Sequence, residues 1–498
     1  MNEKCGVFGI WSDKKEVFVD TYFALLQMQH RGQESAGIVS ASNGKLFSRL
    51  GMGTVDQVFW EEIPEEKLVK SIIELYNRRE PQANIVAFLK ENKTILKENV
   101  LEKLKGNVAI GHVRYSTTGA SMVANIQPMI GWFYGKQFAL GHNGNLIRTQ
   151  QLREECKRKG YQFKTTTDTE VIVALLTTSP KTDFIEALLD ILPRLEGAFS
   201  LTILFEDMII GVRDSFGIRP LCWGVRDRTF MVASESCVLD VLGAELIDDV
   251  HPGEIIIFQG GKERKIAWAV SPSLRGLCLF EYIYFARPDS IMEGVTLYKA
   301  RETMGKYLAE EHPVPIAQLV VSVPDAANPA AFGFGIESKL PVTTYGLFRA
   351  HTVGRTFIEP AAERRKVFQR LKFNPIPAIV KSLRIVLVDD SIVRGTALPR
   401  VIRFLMKAGV AGIDIRISSP PIRYPCYLGI DIPTYQELVR VSNPTDAEML
   451  SFLRRETGFQ GDLTLGHLSL EGTIRATGFC RENFCTGCFN KSYPIPPD

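Results

Sequence analysis

Cys5 begins the apolar segment CGVFG at 5–9, only four residues after the first methionine. This segment predicts the first strand of the fold. If the four residues before it were removed, Cys5 would carry both a thiol and a free α-amine. A thiol titrates near ~8.5 and an α-amine near ~8, so at neutral pH the amine can take the thiol proton, directly or through a water. Cys5 is therefore a candidate nucleophile, and the alternative is a small buried cysteine in a first strand.

Length and composition bound the class of protein. A chain of 498 residues is too long for one hydrophobic core, so we expect two large domains. The net charge of +3 argues against nucleic acid as the main partner. No segment approaches the ~18 apolar residues of a membrane span, and the N-terminus lacks a basic-then-apolar signal. We therefore expect a cytoplasmic protein with no membrane partner, whose nine cysteines are reduced thiols or metal ligands.

The first half of the chain alternates short apolar strands with turn-rich loops. Apolar patterning predicts strands at 198–205, 208–212 and 230–233, the first two as a hairpin, and helices at 22–29 and 168–177. Polar signatures stand at the strand ends: QHRGQESAG at 29–37, GHVRYST at 111–117, GHNGNL at 141–146 and TDTE at 167–170.

In this order behind a near-terminal Cys-Gly, the four signatures resemble those of the class II glutamine amidotransferases, which belong to the N-terminal-nucleophile hydrolases. The resemblance implies a four-layer αββα fold with two antiparallel sheets between helices. It also implies that residues 1–4 are a propeptide and that Cys5 attacks the side-chain amide of glutamine. We expect this glutaminase domain to span residues 5–258.

The matching positions supply the rest of the glutaminase chemistry. Arg114 can clamp the substrate α-carboxylate through two hydrogen bonds, and Asp168 can hold its α-ammonium. The side-chain amide of Asn143 and the backbone N–H of Gly144 can stabilise the oxyanion. The alternatives are a structural ion pair between Arg114 and Asp168 and an ordinary Asn-Gly turn.

The second half contains a predicted anion site. A continuous apolar run at 384–388 predicts a buried parallel strand, and a helix is predicted from about 397 to 407. The loop between them reads DDSIVRGT, from Asp389 to Thr396. Backbone N–H groups and the helix dipole can hold a phosphate there, and the two acidic residues suit a ribose or Mg²⁺. A nucleotide P-loop is excluded because no Gly-Lys-Ser/Thr occurs in the loop.

This segment resembles the signature of the type I phosphoribosyltransferases, which use phosphoribosyl pyrophosphate (PRPP). The resemblance implies a parallel-sheet domain at 259–498, with ribose and Mg²⁺ contacts from Asp389 and Asp390. An acidic pair after a strand could instead belong to a response-regulator-like pocket, but the Arg-Gly-Thr continuation argues against it. The implied 5′-phosphate contacts are Ser391, Val393, Arg394, Gly395 and Thr396.

Three flanking segments narrow the resemblance: YIYFARPDS at 282–290, VGRTFI at 353–358 and SSPPI at 418–422. They are similar to the glutamine phosphoribosylpyrophosphate amidotransferase family, which opens de novo purine synthesis. The resemblance implies that glutamine nitrogen is transferred to PRPP, giving 5-phosphoribosylamine, glutamate and pyrophosphate. It also implies feedback by purine nucleotides and a homotetramer or homodimer. In that family the segment from Gly354 is a lid over the pyrophosphate, here with Arg355 as a PRPP contact.

Four cysteines are candidates for an iron–sulfur site. Cys485 and Cys488 have ligand spacing, but one such pair is half a site. The family resemblance implies two further ligands, Cys237 and Cys426, and hence a [4Fe–4S] cluster. Zinc and four independent core cysteines are the alternatives, and Cys480 is close enough in sequence to compete as a ligand.

The chain departs from the family pattern at several positions. Residues 55–105 form an insertion with amphipathic helical patterns. Ala326 stands where the family usually has a serine that helps to hold the metal. The segments 349–352 and 397–398 also differ from the family, and together they remove a cation and a hydroxyl from the side of the site that binds phosphate. These changes keep two alternatives open: a paralogue that uses PRPP poorly or another acceptor, and a non-catalytic regulatory subunit.

Overall fold

The computed structural model describes residues 4–13, 16–59, 104–115, 122–269, 275–349, 373–432 and 434–497. The chain divides into two compact units. Among the described residues, those from 4 to 269 belong to the N-terminal unit and those from 275 to 497 belong to the C-terminal unit. The predicted helices after residue 60 and the lid with Arg355 lie outside the described residues.

Thirteen strands and six α-helices are described in the N-terminal unit. The strands are β1 (Lys4–Trp11), β2 (Ser35–Ser42), β3 (Lys45–Met52), β4 (Val108–Tyr115), β5 (Met129–Phe133), β6 (Lys136–Leu146), β7 (Gly197–Phe205), β8 (Met208–Arg213), β9 (Cys222–Arg226), β10 (Thr229–Ala233), β11 (Glu245–Asp249), β12 (Glu254–Gln259) and β13 (Lys262–Ala267). The helices are α1 (Phe18–Gln27), α2 (Val55–Phe59), α3 (Gln150–Arg158), α4 (Thr169–Thr177), α5 (Phe184–Ile191) and α6 (Cys237–Val241).

The strands form two antiparallel sheets. One sheet has seven strands in the order β11-β9-β10-β1-β4-β2-β3, and the other has six in the order β13-β12-β8-β7-β6-β5. One apolar cluster joins residues of both sheets, a second packs α1 on the first sheet, and a third packs α4 and α5 on the second. The unit is therefore the four-layer arrangement that the sequence predicts.

Strand β1 is the central example of how this core is encoded. Val7 and Trp11 point into the cluster between the two sheets, whereas Phe8 and Ile10 point toward α1. Because side chains alternate along a strand, burial on both faces requires an unbroken apolar run. The predicted hairpin is confirmed as β7 and β8, while α1 begins at Phe18, four residues earlier than expected. Phe18 belongs to the buried cluster, and this contact extends the helix.

The end of the N-terminal unit differs from the boundary expected at residue 258. Strand β12 continues into a hairpin with β13, in which Ile255 lies opposite Ile266 and Phe258 opposite Glu263. The expected boundary therefore lies within this hairpin, whose second strand belongs to the N-terminal unit.

The C-terminal unit contains eleven described strands and eight described α-helices. The strands are β14 (Leu277–Cys278), β15 (Ile291–Met292), β16 (Val295–Thr296), β17 (Leu319–Ser322), β18 (Val342–Thr343), β19 (Leu347–Arg349), β20 (Phe373–Pro375), β21 (Arg384–Asp389), β22 (Gly412–Ile417), β23 (Asp462–His467) and β24 (Phe484–Cys485). The helices are α7 (Leu297–Glu311), α8 (Asn328–Ser338), α9 (Pro377–Val380), α10 (Leu398–Lys407), α11 (Val439–Ser442), α12 (Asp446–Thr457), α13 (Leu470–Arg475) and α14 (Gly487–Asn490).

A parallel five-stranded sheet forms the centre of this unit, in the order β18-β17-β21-β22-β23. Leu387 and Ile415 pack with α10 and α12 on one face. Val386 and Val388, which alternate with them, are also fully buried. The predicted strand at 384–388 and the predicted helix at 397–407 are confirmed as β21 and α10. Among the described residues, no helix is both long enough and apolar enough to span a bilayer.

Candidate active sites

Strand register places Cys5 directly opposite Arg114 on the antiparallel strands β1 and β4. Opposite residues of an antiparallel pair project from the same face of the sheet. Both side chains are fully buried. The Arg114 Nη1 atom lies 3.7 Å from Glu34 Oε1, so a carboxylate already accompanies the buried guanidinium. The candidate nucleophile and the candidate carboxylate clamp therefore lie side by side on two core strands.

Asn143 is anchored by a residue that the sequence did not point to for this role. The side-chain amide of Asn143 donates to Ser234 Oγ at 3.4 Å, and the backbone N–H of Val7 donates to the same oxygen at 3.0 Å. Ser234 also donates its own backbone N–H to the carbonyl of Val7. Ser234 thus connects the Asn143 amide to the strand that carries Cys5.

Gly144 can only be a glycine in this backbone. Its φ is 154°, and a Cβ at this position would overlap the carbonyl oxygen of Ala198 and lie 2.8 Å from His142 Nε2. The nearest atom is backbone rather than the end of a flexible side chain, so a substitution would have to move β7. Packing against β7 therefore requires glycine at this position.

Asp168 is fixed through both of its carboxylate oxygens. Oδ1 accepts the backbone N–H of Thr169 at 2.9 Å, at the start of α4, and Oδ2 accepts the backbone N–H of Leu146 at 2.7 Å, at the end of β6. His142 Nδ1 lies 3.7 Å from Oδ2. Within the described part of the chain Asp168 pairs with no arginine, so the alternative of a structural ion pair with Arg114 is not what the structure contains.

A buried ion pair involves the signature at 29–37. Glu235 Oε1 accepts from Arg31 Nε and, at 2.7 Å, from His30 Nε2, and both Arg31 and Glu235 have fully buried side chains. The Cys237 thiol lies 3.7 Å from the other oxygen of Glu235. This contact joins the QHRG motif to the segment that contains Cys237.

In the C-terminal unit, Asp389 is the last residue of β21 and Asp390 follows it, at the edge where the carboxyl ends of the parallel strands meet. Asp389 Oδ1 accepts the backbone N–H of Asp390 at 2.9 Å, and Ser391 donates its hydroxyl to Asp390 Oδ2 at 2.6 Å. Burial raises the pKa of the Asp390 carboxyl, while the hydrogen bond from Ser391 and the charge of Arg301 act in the opposite direction. Arg301 in turn donates to the carbonyls of Tyr282 and Ala286, which lie in the YIYFARPDS segment.

The loop after the acidic pair leads into α10 with Gly395 at its turn. Gly395 has a φ of 66°, and a Cβ there would lie 2.7 Å from Val439 Cγ2. Val439 donates its backbone N–H to the carbonyl of Val393 at 3.0 Å. Arg394 lies 3.6 Å from Asp431 and 3.4 Å from Glu437. Thr396 is exposed at the end of the loop, before the helix begins.

The segment with Ala326 lies after β17, at the same edge of the sheet. Ser322 donates its hydroxyl to Asn328 Oδ1 at 2.6 Å, which ties the strand to the start of α8. Asp325 forms an ion pair with Arg349, the last residue described before the lid segment. Ala326 contributes no side-chain oxygen to this edge.

Thiols gather in the C-terminal unit. Strands β14 and β24 pair in parallel with Cys278 opposite Cys485. Burial raises the pKa of the Cys488 thiol, and the neighbouring thiols of Cys426, Cys278 and Cys485 raise it further. Three of the four predicted ligands therefore lie near one another, Cys237 belongs to the N-terminal unit, and Cys480 is exposed. Among the described residues, no group of three or more histidine, cysteine or acidic side chains is arranged around a metal position.

Comparisons with known proteins decide the family. Residues 112–240 match a glutamine amidotransferase domain. The chain is 40% identical to the amidophosphoribosyltransferase of Methanothermobacter thermautotrophicus, over 100% of this chain and 95% of the relative. It is also 40% identical to that of Archaeoglobus fulgidus, over 99% and 98% of the two chains. The chain belongs to the amidophosphoribosyltransferase family.

Solved structures of amidophosphoribosyltransferases agree with this assignment. The glutamine PRPP amidotransferase of Bacillus subtilis, complexed with ADP and GMP, has a TM-score of 0.82 and 35% identity, covering 98% of this chain and 97% of that one. A structure described as the allosteric regulatory enzyme of purine biosynthesis gives a TM-score of 0.83 at 35% identity, over 99% and 97% of the two chains. The predicted fold class, a glutaminase domain followed by a phosphoribosyltransferase domain, is confirmed.

Two residues of these sites were missed in the sequence, and for different reasons. Ser234 stands in the same short segment as Cys237, but nothing local indicates that its hydroxyl meets the Asn143 amide 91 positions away. Cys278 precedes the YIYFARPDS segment, and its position next to Cys485 depends on a pairing of two very short strands. A candidate list that included every cysteine near a family motif would have found Cys278.

Proposed function

We propose that the protein transfers the amide nitrogen of glutamine to PRPP, giving 5-phosphoribosylamine, glutamate and pyrophosphate, the first step of de novo purine synthesis. The observation that supports this proposal is 40% sequence identity to an amidophosphoribosyltransferase over the full length of the chain, together with the placement of Cys5 opposite Arg114. A regulatory subunit without catalysis would have no need for a buried nucleophile beside a buried guanidinium.

In the glutaminase half, Cys5 becomes the N-terminal residue when residues 1–4 are removed, and its α-amine takes the thiol proton. The thiolate attacks the side-chain carbonyl of glutamine, ammonia leaves, and water hydrolyses the thioester to glutamate. Arg114 binds the substrate α-carboxylate and Asp168 its α-ammonium. The Asn143 amide and the Gly144 N–H stabilise the oxyanion. The hydrogen bonds that fix Asn143 and Asp168 support these roles, since donors and acceptors held before the reaction need no reorganisation.

In the transferase half, ammonia attacks carbon 1 of the ribose while pyrophosphate leaves. Asp389 and Asp390 bind the ribose hydroxyls, and Ser391, Val393, Arg394, Gly395 and Thr396 surround the 5′-phosphate at the start of α10. Arg355, which lies outside the described residues, is proposed as a pyrophosphate contact from the family resemblance alone. The turn at Gly395 and the bond from Val439 to Val393 support this assignment because they hold the loop against the sheet edge.

Asp389 and Asp390 would also hold Mg²⁺. Two adjacent carboxylates at a strand end, one of them with a raised pKa, are a set that a divalent cation would keep ionised. Bound Mg²⁺ would neutralise charge on the departing pyrophosphate.

Cys237, Cys426, Cys485 and Cys488 would hold a [4Fe–4S] cluster with a structural role. The clustered thiols of the C-terminal unit fit such a group chemically, since mutually repelling thiolates are stabilised by a soft metal centre. The reaction itself needs no electron transfer. We further propose purine nucleotides as feedback inhibitors and a homotetramer or homodimer, and the nucleotide complex of the B. subtilis relative supports the first of these.

A product assay tests the function. Purified protein is incubated with Mg²⁺ and PRPP, with glutamine or ammonium chloride as nitrogen donor, and 5-phosphoribosylamine and pyrophosphate are measured. We expect 5-phosphoribosylamine and pyrophosphate with either donor, and glutamate only when glutamine is the donor. Glutamate without pyrophosphate release would identify a paralogue with another acceptor, and no product with either donor would identify a non-catalytic subunit.

A further inference from the structure

His142 lies between the two candidate binding elements of the glutaminase site. It immediately precedes Asn143 on β6, and its side chain is fully buried. On one side Nδ1 lies 3.2 Å from Thr169 Oγ1 and 3.7 Å from Asp168 Oδ2. On the other side Nε2 faces the carbonyl of Ala198, and a Cβ on Gly144 would lie 2.8 Å from it. The imidazole therefore fills the space between the candidate ammonium-binding carboxylate and the candidate oxyanion peptide.

The neighbouring hydrogen bonds favour one of the two neutral tautomers of His142. The backbone N–H of His142 donates to Gln127 Oε1 at 2.8 Å, so the amide nitrogen of Gln127 faces the other way and donates to Thr169 Oγ1 at 3.0 Å. The hydroxyl hydrogen of Thr169 is then available to donate to His142 Nδ1. Nδ1 is an acceptor in this arrangement, and the proton lies on Nε2, toward Ala198.

The backbone of His142 is held as firmly as its ring. Its carbonyl accepts from His112 Nε2 at 3.0 Å, and its N–H is bonded to Gln127. Burial lowers the pKa of the imidazole, and the charge of Arg219 lowers it further, while Asp168 and the Ala198 carbonyl oppose this effect. A neutral, fully buried ring that lies between these two elements is suited to fixing a distance and is poorly suited to accepting a proton.

We propose that His142 is a positioning residue of the glutamine site, which fixes Asp168 through Thr169 on one side and packs against the Gly144 peptide on the other without transferring a proton itself. This inference rests on the glutaminase half of the proposed function. Because the ring contacts both elements, its loss acts on substrate binding through Asp168 and on oxyanion stabilisation through Gly144.

Two substitutions separate these effects. His142→Phe keeps a ring but removes both nitrogens, and we expect kcat/KM for glutamine to fall about 10–100-fold, the range for losing a partner that orients a site residue. His142→Asn keeps an acceptor near the Nδ1 position and loses the Nε2 end. We therefore expect its KM for glutamine to stay near that of the wild type while kcat falls. Ammonia-dependent synthesis should keep its rate in both variants.

The pH profile of kcat/KM for glutamine distinguishes a positioning role of His142 from proton transfer by His142. The charged or titratable groups facing the ring are Asp168, Arg219 and His112, and burial lowers the pKa of His112 to about 3. We expect His142→Asn to lower the profile without changing its shape. Loss of one limb of the profile would show that His142 transfers a proton and would overturn the proposal.

The remaining outcomes are also decisive. Glutamine kinetics within about twofold of the wild type in both variants, or an equal loss with ammonia as donor, overturns the positioning role. If His142→Phe does not fold, the KM-against-kcat split in His142→Asn decides alone. A wild-type protein without glutaminase activity contradicts the proposed function instead, so the two failures are distinguishable.

Discussion

Cys5 and Arg114 face each other across β1 and β4, one residue pair within a register that runs over the whole length of both strands. A slip of one residue would turn one of the two side chains to the opposite face of the sheet. The distance between the candidate nucleophile and the candidate substrate clamp is thus set by backbone hydrogen bonds between two core strands rather than by loops.

Replacement of this nucleophile should separate the two half-reactions. In Cys5→Ala the thiolate is lost and the transferase unit is untouched, so glutamine-dependent synthesis should fall by at least about 10³-fold while ammonia-dependent synthesis persists. Phosphoribosylamine formation with each donor measures this. If both activities vanish in a variant that keeps the wild-type melting temperature, the two-site model is wrong.

Maturation of the N-terminus provides a second test. Residues 1–4 would block the amine that acts as base, so protein from the native host should begin at Cys5. Intact-mass measurement reads this directly. A fully active protein that retains Met1 would contradict the proposed base.

The cysteine assignment predicts colour and metal content. Anaerobically purified protein should be brown and contain about four irons per chain. Cys488→Ser should lose the iron, because it removes a buried thiol at the centre of the group. Cys480→Ser is the matched control, since Cys480 is exposed, and it should retain the iron. Colourless protein with stoichiometric zinc would show that the site binds zinc instead of an iron–sulfur cluster. Loss of iron in Cys480→Ser would show that Cys480 is one of the ligands.

Ala326 can be used to test whether the loss of the family's metal-holding serine weakens Mg²⁺–PRPP binding. Ala326→Ser restores an oxygen after β17, and one well-placed polar contact should strengthen Mg²⁺–PRPP binding by about 0.5–1.5 kcal/mol. That corresponds to an affinity gain of up to roughly tenfold. Calorimetric titration of the two proteins measures the difference. An absence of PRPP binding in both would leave only the glutaminase half of the proposed function.

The buried carboxylate of Asp390 should lower the free energy of unfolding at neutral pH. Its folded-state pKa is raised by burial, so its contribution is most favourable below the unfolded-state value and declines as pH rises toward the folded-state value. Asp390→Asn should therefore melt higher than the wild type at pH 7, by about 2–4 °C for each kcal/mol gained, with no difference near pH 3. The same variant should lose PRPP-dependent activity. Equal melting temperatures at both pH values would show that the carboxyl carries no such strain.

Short-range sequence patterns were enough to predict the strands named below and the loops that carry the candidate site residues. The runs that became β1, β21 and the β7–β8 hairpin are apolar on both faces, and such runs have few conformations that bury them. The acidic pair could be placed at the end of β21 because the loop follows the strand directly.

Pairings between distant segments could not be derived in this way. Glu235 meets Arg31 across 204 positions, and Ser234 meets Asn143 across 91. The segments involved carry no local signal for each other, since a hydroxyl or carboxylate has the same sequence context whether it faces water or a buried partner. The hairpin of β12 and β13 moved the unit boundary for the same reason.

The sequence by itself therefore determined the family, the two activities and the side chains that could carry them, because residue type limits which reactions are possible. Only the tertiary structure decided that Cys278 joins the thiols around Cys488 and that His142 stands between Asp168 and Gly144. Those relationships depend on strand register and on the packing of β6 against α4, and both are fixed only when the apolar faces of the two sheets and their helices are buried together.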